Sequence, residues 1–67
     1  MNIGKTLKEH RETFEINQSE LSRKTGIKQQ NISRWENNQN LPNILDCIIL
    51  ADFYNISIDE LIGREKY

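Results

Sequence analysis

Apolar side chains recur at three- and four-residue steps through most of the 67 residues, the period of a helix rather than a strand. Residues 2–14 set Ile3, Leu7, His10 or Arg11, and Phe14 along one side, with Lys5, Lys8, Glu9 and Glu12 elsewhere on the wheel, which predicts a first amphipathic helix. Asn17 followed three residues later by Glu20 forms an Asn version of the capping box. A second helix should therefore cover residues 18–25 and stop before Gly26. A third should follow Lys28, which is not a favoured cap, and end near Asn37, because Asn37 and Asn38 tolerate the left-handed conformation. Pro42 and Asn43 precede a fourth helix over residues 44–54. Ser57 and Glu60 make a second capping box for a short fifth helix, residues 58–62, closed by Gly63. Residues 64–67 should be a frayed tail. The pattern is all-α, with no strand signal, no internal repeat and no linker to a second domain.

Residues 18–36 organise the rest. Counting Gln18 as position one, Leu21 falls at four, Ser22 at five, Gly26 at nine, Ile27 at ten, Ile32 at fifteen and Trp35 at eighteen. That is the spacing of a helix-turn-helix. Two short helices pack at a steep angle only with a small side chain at their crossing and a turn residue that accepts positive φ, and Ser22 and Gly26 fill those places. The apolar positions then face a shared core. Lys28, Gln29, Gln30, Asn31, Ser33 and Arg34 remain on or beside the outward face of the second helix of the pair.

Helix four carries more apolar surface than one face can hold. Ile44, Cys47, Ile48, Ala51 and Tyr54 share one side, whereas Leu45, Ile49 and Phe53 form a second stripe at four-residue steps. The second stripe is expected either to lie under another segment or to form a dimer surface.

Composition changes the picture in two respects. A chain of this size buries only about 60% of its unfolded surface, so self-association would help it. Its net charge is −1, but residues 1–36 carry seven Lys or Arg against five Glu, and residues 37–67 carry two against five acids. Arg23, Lys24, Lys28 and Arg34 stand against Glu20 alone within residues 18–35, the local footprint that phosphate attraction requires.

A single cysteine, Cys47, excludes an intrachain disulfide framework, and no apolar run approaches the roughly 20 residues of a membrane span. A cytoplasmic location is expected. His10 and Cys47 have no second pair at ligand spacing, so no metal or other cofactor is expected. No Ser-His-Asp set, Gly-rich phosphate loop or paired carboxylates are present, which argues against an enzyme and against a small-molecule substrate.

The chain resembles the Cro/CI-type, or XRE-like, helix-turn-helix family in L-K-E-H-R (residues 7–11), Q-S-E-L-S (18–22), G-I-K-Q-Q-N-I-S-R-W-E (26–36), L-P-N (41–43) and Y-N-I-S-I-D-E-L-I-G (54–63). The resemblance implies a five-helix lambda-repressor-like DNA-binding domain over residues 1–67, a transcriptional regulator acting on double-stranded DNA, usually as a homodimer. It implies base contacts from Gln29, Gln30 and Arg34, with Lys28 and Asn31 adjacent. It places Gln18 on a phosphate and Asn37 on the backbone; Arg23, Lys24 and Ser33 are expected to contact phosphates as well. It further implies that Arg11 and Glu36 form a structural ion pair from helix one to the end of helix three.

Chemistry agrees, since Gln bonds bidentately to adenine and Arg to guanine in the major groove. The fold and charge also allow a protein-interaction module such as an antitoxin or regulatory subunit. Residues 38–40, Asn-Gln-Asn, occupy a loop that in the family is often glycine followed by basic residues. Leu45, Ile49 and Phe53 are the expected dimer surface.

Overall fold

Polar caps open every helix but one. The computed structural model describes residues 1–64 and holds α1 (Ile3–Thr13), α2 (Gln18–Thr25), α3 (Gln29–Glu36), α4 (Ile44–Tyr54) and α5 (Ile58–Ile62). Asn2, Asn17, Asn43 and Ser57 each accept the backbone N–H three residues on. Each such bond satisfies one of a helix's orphan donors and contributes roughly 1 kcal/mol. Both capping boxes form as the sequence predicts. Lys28 gives α3 no side-chain cap, as its chemistry requires. The tail expected at residues 64–67 lies, apart from Arg64, outside the described residues.

At the end of α3 the left-handed residue is Asn38, at φ 59°, while Asn37 stays at φ −93°. The Asn38 N–H bonds the Trp35 carbonyl at 3.0 Å and the Gln39 N–H bonds the Arg34 carbonyl at 2.8 Å. These are the two bonds of a Schellman turn.

All five helices and the turn before α3 contribute to one core of Leu7, Leu21, Ile27, Ile32, Trp35, Cys47, Leu50, Ala51, Tyr54 and Leu61. Trp35 and Cys47 are both buried, and burial pushes the Cys47 thiol upward in pKa, away from the reactive thiolate. The face of α4 differs from the wheel reading. Ile44 and Ile48 are exposed, Leu50 is buried, and Ile49 and Phe53 are half-buried against the core. Because α4 has only two polar residues, Asp46 and Asp52, its sequence selects no face, and packing against α2 and α5 makes the choice.

Arg11 is a buried charged residue, and the side chain of Glu36 is buried against it. Its guanidinium grips Glu36 through Nε to Oε2 at 2.8 Å and Nη2 to Oε1 at 3.0 Å, and its Nη1 donates to the Ile16 carbonyl at 2.9 Å. The hydrogen bonds to Glu36 hold Arg11 above its already high pKa. His10 is used structurally too, its Nε2 lying 2.8 Å from the Glu60 carbonyl of α5.

Tyr54 packs edge-on against Phe14 and Phe53, and its buried hydroxyl has no hydrogen-bond partner among the described residues. Desolvation, with the Glu36 charge nearby, pushes its pKa from 10.0 to about 12. The fold thus favours the neutral phenol. Its contribution is intact below pH 10 and is lost as pH rises toward about 12, by on the order of 2 kcal/mol. Tyr54→Phe is expected to leave neutral-pH stability unchanged or raise it by up to about 1 kcal/mol, and to flatten this alkaline loss. Chemical denaturation of both forms at pH 7 and pH 11 checks it; a destabilised variant at pH 7 would mean that the hydroxyl is bonded.

Candidate nucleic-acid interface

The α2–α3 turn is fixed by side chains that sequence reading took only as small or polar. The Ser22 hydroxyl donates to the Ile27 carbonyl at 2.6 Å, and Thr25 Oγ1 donates to the Leu21 carbonyl at 2.7 Å while accepting the Ile27 N–H at 3.3 Å. Gly26 sits at φ 78°, and a Cβ there would meet nothing within 4 Å. Its role is therefore the backbone conformation, not close packing.

Burial of Ile27, Ile32 and Trp35 orients α3. With that side committed, Lys28, Gln29, Gln30 and Arg34 are exposed, and Asn31 and Ser33 are half-buried at the margins. Gln30 and Arg34 lie one turn apart on the same face, with Gln29 beside Gln30. None of the side chains of Lys28, Gln29, Gln30, Asn31 or Arg34 bonds another described residue. They are free to address a ligand.

The residues expected on phosphate are less uniform. Arg23 and Lys24 are exposed on α2, where Arg23 Nη1 reaches Ser19 Oγ at 3.1 Å. Gln18 is half-buried and donates through Nε2 to Glu36 Oε1 at 2.9 Å, which leaves its second amide N–H for another acceptor. Asn37 turns back on α3, donating to the Ser33 carbonyl at 2.9 Å and approaching Ser33 Oγ at 3.5 Å. Arg11 and Glu36, expected as an ion pair, lie behind this surface, so that one buried carboxylate ties α1, α2 and α3 together.

Of the expected dimer residues, Leu45 is exposed, while Ile49 and Phe53 pack on the core, Phe53 also touching Phe14 at a ring separation of 5.9 Å. The exposed large apolar side chains are Met1, Phe14, Leu41, Ile44, Leu45 and Ile48, of which the last four lie on or just before α4. Sequence reasoning also missed the seat of α1 on the end of α3, where the Gly4 N–H donates to Asn38 Oδ1 at 3.1 Å. The available signal was Gly4 itself, a glycine in a helical first turn that no bend required.

Among the described residues, no group of three or more His, Cys, Asp or Glu could hold a metal ion, and no helix is long and apolar enough to cross a membrane.

A family model described as helix-turn-helix matches residues 7–61. The chain is 33% identical over 66 residues to the HTH-type transcriptional regulator ImmR of Bacillus subtilis, covering 98% of this chain and 52% of that protein. It is 31% identical over 64 residues to the antitoxin PezA of Streptococcus pneumoniae, covering 96% of this chain and 40% of the relative. The same identity over 64 residues relates it to the cryptic phage CTXphi transcriptional repressor RstR of Vibrio cholerae, covering 96% and 57%. The chain thus spans about half the length of these curated relatives. No solved structure matches it.

Proposed function

Because the chain belongs to the XRE-type helix-turn-helix family of DNA-binding transcriptional regulators, and is not an enzyme, we propose that it is a sequence-specific repressor that reads an inverted-repeat operator as a homodimer. The observation that carries this reading is the face of α3. Gln29, Gln30 and Arg34 project from one helix, exposed and with no side-chain bonds to other described residues, where a duplex major groove could receive them. Gln18, Arg23, Lys24, Ser33 and Asn37 surround that face and supply donors for the phosphates. Residues 1–67 act as one DNA-binding domain in the cytoplasm, and repression follows from occupying a promoter.

Selection from a randomised duplex pool at low salt tests this directly. The expected product is a two-fold symmetric site whose halves are centred about 34 Å apart, one turn of B-DNA. A pool that emerges unenriched would favour the second reading, a protein-interaction module. The likeness to a relative named as an antitoxin, and the exposed apolar stripe of α4, are what support that alternative.

The dimer surface is assigned to Leu45 together with Leu41, Ile44 and Ile48, since these are the large apolar side chains that the fold leaves open on and beside α4. Ile48→Glu is expected to leave the fold intact and to abolish the dimer, lowering affinity for the full operator by about tenfold or more. Sedimentation with and without operator DNA measures it. A wild type that is monomeric in both conditions would remove the assignment. Ile49→Glu is the poorer test because Ile49 helps cover the core.

A further inference from the structure

We propose that Asn38 is a positioning residue for α3: its amide, carried on the left-handed turn that ends this helix, caps α1 and thereby sets the angle at which Gln29, Gln30 and Arg34 meet DNA. The proposal rests on the DNA-reading function above and adds to it a residue far from the base-reading end.

Asparagine supplies at this turn what glycine could not. A left-handed position is occupied without penalty by glycine, and asparagine is among the few side chains that tolerate it. Here the side chain is used in full. Asn38 Oδ1 accepts the Gly4 N–H at 3.1 Å, and Asn38 Nδ2 donates to Asn2 Oδ1 at 3.0 Å. Asn2 Oδ1 in turn accepts the Lys5 N–H at 3.0 Å. Two of the orphan donors of α1 are therefore satisfied by a pair of bridged asparagines, one of which belongs to α3's own terminating turn.

Gly4 is the seat for this clasp. Its backbone has no positive φ, so conformational freedom does not explain a glycine there. Space does. A Cβ would run into the Trp35 carbonyl oxygen, a backbone atom that cannot yield, and fall 2.6 Å from Asn38 Oδ1. The first turn of α1 thus lies directly on the last turn of α3.

The same turn of α3 is held a second time, by Arg11 on Glu36. Residues 4 and 11 are seven apart on α1, roughly 10 Å along its axis. Beyond the burial of Ile32 and Trp35, each attachment fixes one point of α1 against α3. Two attachments separated by that length define a direction. Base reading needs side chains held within about 0.5 Å and 10–20° of the productive geometry, so the second attachment bears on recognition even though it touches no base. Arg34 lies one turn before Asn38 and should feel its loss most.

Asn38→Gly keeps the turn and deletes the amide; Asn38→Asp keeps the acceptor for the Gly4 N–H. Both are examined well below their melting temperatures, so that stability does not enter. In free Asn38→Gly, the Gly4 amide should exchange about tenfold faster or more, and residual dipolar couplings of α1 and α3 should no longer fit the wild-type angle. On DNA, its ratio of preferred-site to random-duplex affinity should fall about five- to tenfold, most at the base pair facing Arg34. Asn38→Asp, which keeps the acceptor for the Gly4 N–H but loses the donor to Asn2 Oδ1, should recover the couplings and the ratio in part, its added charge weakening all duplexes alike.

An Asn38→Gly protein with wild-type couplings, or with a wild-type ratio, overturns the proposal. If the wild-type chain prefers no duplex, the DNA-reading function has failed instead, and the couplings of the free protein alone decide whether Asn38 sets the helix angle.

Discussion

Replacing Arg11 by methionine is expected to cost about 3–5 kcal/mol, because it leaves the Glu36 carboxylate buried with the Gln18 amide as its one side-chain donor among the described residues. The Glu36 side chain is 4% exposed, so water cannot replace the lost guanidinium without opening the contact between α1 and α3. Stabilities run at roughly 0.05–0.15 kcal/mol per residue, so the loss consumes much or all of what a chain this short has. Thermal and urea unfolding followed by circular dichroism measure it. Replacing both partners, Arg11→Met with Glu36→Leu, should recover most of the loss, since the desolvation penalty leaves with the charges. A single variant that loses less than about 1 kcal/mol would show the pair to be an ordinary surface bridge.

The second large effect concerns recognition. Arg34→Ala should relax preference at one base pair of each half-site by roughly 1–3 kcal/mol while leaving the fold untouched, because Arg34 is exposed and bonds no other described side chain. Lys24→Ala is the matching control. It should weaken all duplexes by a similar factor and reduce the slope of affinity against salt by about one counterion. Titrations of single-base variants of the selected site, at two salt concentrations, separate these outcomes. Equal behaviour of the two variants would mean that Arg34 contributes charge and not reading.

Much of this architecture was legible because its signals are local. Asn17 with Glu20, and Ser57 with Glu60, announce helix starts from within three residues, and both boxes form. The outward face of α3 was legible for a related reason: Ile32 and Trp35 fix the buried side of a short helix, and the remaining positions follow from its period. The face of α4 was not legible, since apolar residues occupy all sides of that helix and only tertiary packing distinguishes Leu50 from Ile48. The clasp between Gly4 and Asn38 spans 34 residues of sequence, beyond the reach of any periodicity. Arg11 and Glu36, 25 apart, could be paired only through the family resemblance.

Gln18 shows a further limit. Its place at the start of α2 suggested a phosphate contact, but its chemistry allowed more than one use, and one amide N–H is given to Glu36. The turn between α2 and α3 likewise relies on the hydroxyls of Ser22 and Thr25, which composition alone presents as merely small and polar.

Base reading by α3 through side chains such as Arg34 can be measured by a double-mutant cycle across the interface. The guanine opposite Arg34 in the selected operator is replaced by 7-deazaguanine, which lacks the N7 acceptor, and affinity is measured for the wild type and Arg34→Ala on both duplexes. The prediction is coupling: the modified base weakens the wild type by about tenfold and has little further effect on Arg34→Ala. Two losses that simply add, at every guanine of the site, would mean that Arg34 reads no base.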